Sequence, residues 1–448
     1  MTAAHVAAII LAAGQGTRMK SATPKVLHAV AGRSLLAHAL AAAKALAPER
    51  LIVVIGDQAE VGAAAKAFEK DVAVAVQAPP RGTGDAVAKA LPALDGFNGP
   101  VLVLYADTPL IESQTLSRLA DAARGRIGAV LGFRPKEPGA YGRLILDEPD
   151  AIARIVEARD ATREELVVGL CNSGVMAASA AFLRESLPKL RPDNAKKEYY
   201  LTDIVAMAKA AGEAFAVIEA AEREVMGVNS RAELNEAEAI FQARRRIRAM
   251  DEGATLIDPD TVYFSFDTAL GRDVVVEPFV VFGPGVEVAD GATIKGFSHL
   301  EGCKIGRGAV VGPFARLRPG TELMAGSRVG NFVEVKKATI GEGAKVNHLT
   351  YIGDAEIGAR ANIGAGTITC NYDGYEKHRT EIGEDAFIGS NTALVAPVKV
   401  GRGAYVGSGS VITKPVVDDA LAVARGRQSE IKGWALRFRK SHGPTGHD

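Results

Sequence analysis

The chain has 448 residues, 48% of them apolar, with 53 basic and 53 acidic side chains. That length predicts two or three domains, and the balanced charge argues against nucleic acid or an anionic membrane as a bulk partner. Three widely spaced cysteines, Cys171, Cys303 and Cys370, show no metal-ligand spacing and predict reduced thiols in a cytoplasmic protein. No apolar run approaches the length of a membrane span. The opening MTAAHVAAIILAAGQG lacks a basic leader and runs straight into a glycine loop, so it reads as a buried strand rather than a signal peptide.

Through the first half, short apolar runs at 6–11, 51–55, 72–77, 101–105 and 127–133 alternate with Ala-rich helical stretches such as 34–47 and 85–94. Alternation of this kind predicts βαβ units and a mostly parallel sheet, with ligands gathered at the carboxyl ends of the strands. The first strand ends in LAAGQGTRM, followed by Pro24-Lys25. Gly14 and Gly16 allow a tight turn and present N–H groups to an anion, while Arg18 and Lys25 add positive charge. The third glycine of GxGxxG and the GKS or GKT of a P-loop are both missing. A plain glycine-rich turn with solvated basic residues is the alternative. Gln77 and Gly82-Thr83 follow the third strand, where an amide and a backbone can read a base edge. In VLVLYADTPLI, Asp107 stands just past a buried strand and too far upstream to cap a helix over 113–123. A magnesium ion on phosphates gives such a lone carboxylate a reason.

Residues 230–251 contain no proline or glycine. Leu234, Ala237, Ile240, Phe241 and Ile247 fall on one face at helical spacing, which predicts a helical arm with Arg244, Arg245, Arg246 and Arg248 on its solvated side.

Beyond the arm, an apolar residue recurs at every sixth position. The beat runs Leu270 to Leu300, then Ile305 to Val335, Ile340 to Ile352, Ile357 and Ile363, and Ile382 to Ile412, with five-residue steps at the first three joins. No helix has a period of six and an ordinary strand alternates every two. A hexad suits a coil of short parallel strands with three hexads per rung. Arg318 and Lys336 are 18 residues apart, one full rung, so they stack about 4.8 Å apart. A bound phosphate would turn their repulsion into attraction; pairing of Glu334 with a stacked Arg316 is the alternative. Glu334 and Tyr351 line up beside the two cations, and His348 lies round the corner in NHLTY. Histidine elsewhere in a repeat is usually structural, but beside this group it is the natural general base. The beat breaks between Ile363 and Ile382, where CNYDGYEKHRT carries the turn formers Asn371, Asp373 and Gly374 and predicts an exposed loop. The basic tail from Ile431, with Trp434, ends in a polar run expected to be disordered.

The hexad pattern resembles the hexapeptide-repeat left-handed β-helices, and the handedness comes from that resemblance. The first half resembles sugar-nucleotide pyrophosphorylases. The whole chain, from LAAGQGTRM through GYGR, IVEARDAT, CNSGV, EYYLTD and GVNSRAEL to NIGAGTITCNYDG, resembles the bifunctional N-acetylglucosamine-1-phosphate uridylyltransferases/glucosamine-1-phosphate acetyltransferases. That resemblance implies an α/β Rossmann-like nucleotidyltransferase domain over 1–229, a helical linker over 230–251, and a left-handed parallel β-helix acetyltransferase domain with its tail over 252–448. It also implies a cytoplasmic homotrimer of cell-wall precursor synthesis that uses UTP and acetyl-CoA as co-substrates and Mg2+ as metal.

By the same resemblance Leu11, Ala12, Ala13, Gly14, Gln77, Gly82, Thr83 and Tyr105 hold the uridine nucleotide, and Arg18, counted as catalytic, holds phosphates with Lys25. Gly142, Glu157 and Asn172 hold the sugar, and Asp107 with Asn229 holds magnesium. In the coil His348 is the catalytic base. Arg318, Glu334, Lys336, Tyr351, Asn362 and Lys377 take glucosamine-1-phosphate. Ala365, Asn371, Tyr372, Ser390, Ser408 and Arg425 take acetyl-CoA, with the 370–380 loop closing the pocket from a neighbouring subunit. The chain departs from the family pattern at Ala106, where glycine is common, and at Tyr375-Glu376. Two rivals are a single-activity sugar-1-phosphate nucleotidyltransferase with a regulatory coil and a scaffold whose repeat only assembles.

Overall fold

The computed structural model describes residues 5–148 and 150–442; the polar run expected to be disordered lies outside them. The chain divides into two compact units, Met1–Arg245 and Arg246–Asp448. The division falls inside the helix Arg231–Asp251.

In the first unit nine strands form one sheet. In chain order they are β1 (Ala7–Ala12), β2 (Arg50–Ile55), β3 (Ala73–Val76), β4 (Pro100–Tyr105), β5 (Gly128–Phe133), β6 (Arg143–Glu148), β7 (Ala151–Val156), β8 (Cys171–Ser179) and β9 (Phe215–Ala220). Their spatial order is β3-β2-β1-β4-β8-β5-β9-β7-β6. From β3 to β4 every pairing is parallel. Strand β8 then enters antiparallel to both neighbours, and the β6–β7 hairpin closes the far edge. The sheet is therefore mixed rather than mostly parallel, because the chain doubles back through that hairpin before β8. The βαβ half explains the apolar first strand. All six residues of β1 are buried, alternate ones facing two separate cores, as both faces are covered. Strand order reverses at β1, with β2 on one side and β4 on the other, which opens a crevice at their carboxyl ends.

The helix Arg231–Asp251 begins with a capping box that the sequence carries as Ser230…Glu233. Ser230 Oγ accepts from the Glu233 N–H at 3.2 Å and Glu233 accepts from the Ser230 N–H at 2.9 Å. Ala237 is buried and Leu234, Ile240 and Phe241 are half-buried, as the periodicity predicts. Ile247, however, is exposed, and the arginines are not a solvated row. Arg244 donates to the Leu110 carbonyl at 2.9 Å. Arg246 donates to the carbonyls of Val262 and Asp260 and lies over the Tyr263 ring. These long side chains bury their stems and satisfy carbonyls at their tips, so their face of the helix is covered; only Arg248 is strongly exposed.

The second unit is the expected coil. Short parallel strands pair one rung on, Thr293 with Val310 and Val310 with Arg328. Every slot from Val276 to Ile412 is buried in one core, and Leu270, half-buried, packs against it. The hexad thus states the architecture directly: one inward residue per strand, then a corner. A short helix, Trp434–Ser441, forms within the basic tail.

Candidate active sites

A cavity of about 280 Å³ opens at the carboxyl ends of β1, β3 and β4. It is lined by Leu11, Ala12, Ala13, Gly14, Lys25, Gln77, Gly82, Thr83, Tyr105 and Asp107, all anticipated, and by Val26, Pro80, Ala86 and Glu198, which were not. Gln77 is almost fully buried, and its amide NH2 donates to the Gly82 carbonyl at 2.9 Å and to Asp85 at 2.8 Å. That leaves the amide oxygen as the group offered to a base. Gly14 does not have the left-handed backbone expected of a tight turn; Gly16 does, at φ +60°, and a side chain there would collide with Lys25. Arg18 is exposed on the turn Thr17–Met19 and does not line the cavity.

Lys25 is buried and donates to Asp107 Oδ2 and, at 3.1 Å, to Asn229 Oδ1. Two accepting oxygens thus converge on one cation. Asn229 is held there because its backbone N–H also donates to Glu233, at 2.6 Å. Beside this group Tyr105 is half-buried on the cavity wall, and desolvation, with Glu157 and Asp107 nearby, pushes its hydroxyl far above the ordinary range. Burial likewise raises the Glu157 carboxyl; Thr202 donates to it at 3.4 Å. Asn172 is buried, and its amide oxygen accepts from the Gly174 N–H at 3.0 Å, which fixes the orientation of its amide.

On the coil, Glu334 pairs in register with Tyr351, and Lys336 with Gly353. Glu334 does not bind the stacked Arg316. It takes Arg318 instead, at 2.7 Å, so one of the two stacked cations is already compensated. Lys336 is not. The Lys377 ammonium sits within hydrogen-bonding reach of it and, with Arg318, holds its pKa below the ordinary lysine value. The loop that delivers Lys377 is a hydrogen-bonded hairpin. Tyr372 bridges Lys377, and Asp373 accepts from the N–H groups of Glu376 and Tyr375 and pairs with His378 at 2.8 Å. Those N–H donors and His378 keep the Asp373 carboxyl well below the carboxylate range. Asn371, expected to be exposed, is buried at the loop root and donates to Asp354 at 2.5 Å. Within one chain, the loop brings Lys377 beside Lys336.

His348 stands in register with Asn331, one rung earlier, and its Nδ1 lies 2.8 Å from the Asn331 amide oxygen. An amide oxygen only accepts, so Nδ1 carries the proton, and in the neutral ring the lone pair is the one on Nε2. Asn331 was missed because an asparagine at a corner reads as a turn former. Above His348 the same corner position holds Ala365, Ser390 and Ser408. The column is tied by the bonds Gly366 N–H to His348 O, Asn391 N–H to Ala365 O and Gly409 N–H to Ser390 O. Arg425 caps it by donating to the Ser408 carbonyl at 2.7 Å. Tyr372 lies apart, in the hairpin, and Asn362 lies on the strand face that leads into the column.

Residues 8–206 match the MobA-like NTP transferase domain family, and residues 379–414 match the bacterial transferase hexapeptide (six repeats) family. The bifunctional protein GlmU of Paramagnetospirillum magneticum is 56% identical over 443 residues, 98% of each chain. The namesake from Sphingopyxis alaskensis is 55% identical over 97% of this chain and 96% of its own. That of Rhodopseudomonas palustris is 57% identical over 98% of this chain and 97% of its own. The chain belongs to the GlmU family. As a GlmU-family protein it carries a nucleotidyltransferase domain and a hexapeptide-repeat β-helix of the left-handed class, and the pure-scaffold reading falls away. Ala106 and Tyr375, two residues at which the chain departs from the family pattern, both lie outside the cavity lining described above. Ala106 is buried with its N–H on the Leu11 carbonyl, outside the cavity lining, and Tyr375 points into solvent.

Proposed function

We propose that this chain is a bifunctional transferase. Its coil acetylates glucosamine-1-phosphate from acetyl-CoA, and its N-terminal unit then transfers UMP from UTP to N-acetylglucosamine-1-phosphate, releasing pyrophosphate. The product, UDP-N-acetylglucosamine, feeds cell-wall and lipopolysaccharide synthesis. One observation carries the acetyl half: His348, fixed through Nδ1 on Asn331, heads the column Ala365–Ser390–Ser408.

In acetyl transfer the sugar amine attacks the thioester carbonyl and loses a proton to His348 Nε2. The thiolate of CoA then leaves and takes up a proton. Asn331 holds the ring throughout, since Nδ1–H is present in both the neutral and the charged imidazole. Lys336 and Lys377, close together and with no carboxylate partner among the described residues, suit the phosphate of the amino sugar.

In uridylyl transfer the sugar phosphate attacks the α-phosphorus in line and pyrophosphate leaves, so positioning and charge neutralisation are the main demands. The Gln77 amide oxygen can accept the N3–H of uracil, a proton that cytosine lacks. Asp107 and Asn229 already share one cation, Lys25, and their hard oxygens suit magnesium, which keeps waters and substrate phosphates as its other ligands. When bound, the ion supplies charge neutralisation on the phosphates. The described residues show no helix long and apolar enough to cross a membrane, in keeping with a cytoplasmic enzyme. A homotrimer is the assembly we propose.

The deciding experiment supplies glucosamine-1-phosphate, acetyl-CoA, UTP and magnesium, and follows free thiol and pyrophosphate separately. Both should appear, with pyrophosphate dependent on prior acetylation. Pyrophosphate formed from a supplied sugar-1-phosphate without any thiol release would leave only a single-activity nucleotidyltransferase.

A further inference from the structure

One part of GYGR has no role in the chemistry above. Arg143, at the start of β6, is 3% exposed. Among the described residues it has no carboxylate partner. All of its bonds go to backbone carbonyls: Pro138 at 3.4 Å, Gly139 at 3.3 Å, Tyr141, and Leu166 through two nitrogens at 3.3 and 3.4 Å. Burying a guanidinium without a counter-charge is costly unless its donors are met. Here they are met by two separate segments, the loop leading into β6 and the turn leading towards β8.

The register shows what those segments hold. Arg143 is the cross-strand partner of both Val156 and Cys171. Gly142 precedes Arg143, Glu157 follows Val156, and Asn172 follows Cys171, so all three residues read as the sugar site lie one position from this junction. The Asn172 N–H also donates to the Gly142 carbonyl at 2.8 Å. We propose that Arg143 is a positioning residue for the N-acetylhexosamine phosphate. Its planar fork ties the 138–142 loop to the Leu166 turn and so sets the spacing of Gly142, Glu157 and Asn172 around the sugar. The proposal rests on the reading of those three as the sugar site. A lysine is a poor replacement for the fork, because one nitrogen presents three donors from a single point, whereas the guanidinium presents five from three nitrogens in a fixed plane.

The test is steady-state kinetics of Arg143→Lys and Arg143→Met, with Asn172→Ala as a check on the sugar site itself. Both Arg143 variants should raise the KM for N-acetylglucosamine-1-phosphate at least about tenfold, the scale of a sub-ångström displacement. The KM for UTP and thiol release by the coil should stay at wild-type values. Equal loss for UTP and sugar, an unchanged sugar KM, or a protein that no longer folds would each overturn the proposal, the last by making Arg143 a general folding residue. If Asn172→Ala leaves the sugar KM unchanged, the sugar-site reading fails, and the positioning role falls with it. An effect of Asn172→Ala without one from Arg143→Lys rejects the positioning role alone.

Discussion

Gly82→Ala tests the nucleotide cavity by the smallest possible change. Gly82 has φ +111°, a conformation that costs a residue with a side chain about 1–3 kcal/mol. An added Cβ would lie 2.5 Å from the Tyr199 carbonyl oxygen and 2.7 Å from its nitrogen. Ordinary contact begins at 3.4 Å, and both atoms are backbone, so no flexible tip can yield. The Tyr199 atoms are also tied, N–H to the Arg81 carbonyl and carbonyl to the Gly84 N–H. The turn at Gly82 must therefore move by roughly 0.9 Å, taking with it the carbonyl that anchors Gln77. Displacement of about 1 Å at a positioning group costs about a hundredfold. We expect pyrophosphate release to fall by about that factor, with a lower melting temperature for the N-terminal unit and unchanged thiol release. A variant with full uridylyl transfer would show that Gly82 and Gln77 do not position the nucleotide.

Three further outcomes are expected. His348→Ala should lose acetyl transfer by at least about a hundredfold and keep uridylyl transfer; residual activity near wild type would remove His348 as the base. Lys336→Ala should raise the glucosamine-1-phosphate requirement, leave the acetyl-CoA requirement alone, and melt no lower than wild type without ligand. The lowered Lys336 pKa means its charged form is disfavoured in the fold, a penalty present at neutral pH and fading as pH rises towards the ordinary lysine value of 10.5. A clear fall in ligand-free stability would instead make Lys336 part of a stabilising ion pair. Glu157→Gln should weaken sugar binding yet raise the melting temperature at pH 7. Its raised pKa makes the ionised carboxylate a penalty that disappears as pH falls below the ordinary 4.5, so the two proteins should converge in acid; a gap that persists there would refute the cause.

The coil was legible almost residue by residue, because a repeat with one inward slot per strand leaves its period in the sequence. The βαβ half of the first unit was legible for a similar reason: strands buried on both faces form continuous apolar runs. Strands β6 to β9 were harder, since β6 ends in exposed Leu146–Glu148 residues and β7 mixes buried with exposed positions. Arg244 and Arg246 were misjudged because charge says nothing of a stem buried beneath it. The capping box at Ser230 was present to be read. Asn331 and Arg143 were not, because each acts through geometry set by a neighbouring strand: an asparagine one rung from a histidine, and a guanidinium that serves only carbonyls.

The corner that carries His348 is where a monotonous scaffold changes character. At the next position along each strand the backbone is left-handed throughout, at Phe279, Phe297, Phe314, Phe332 and Leu349, then at Gly366, Asn391 and Gly409. Below His348 these positions bear exposed rings stacked at 4.8–5.2 Å, the spacing of the rungs. From the rung above it they bear glycine or asparagine. The left-handed backbone favours those two residue types anyway, so the bulky phenylalanines below are the costly choice and the bare corner above is the relaxed one. The column Ala365, Ser390 and Ser408 runs along the bare part. The backbone is open along that part, whereas stacked rings cover it on the other side of His348. On the proposal that this column takes acetyl-CoA, side-chain volume at one repeated corner sets the direction of the cofactor along the coil, and the imidazole stands where that volume changes.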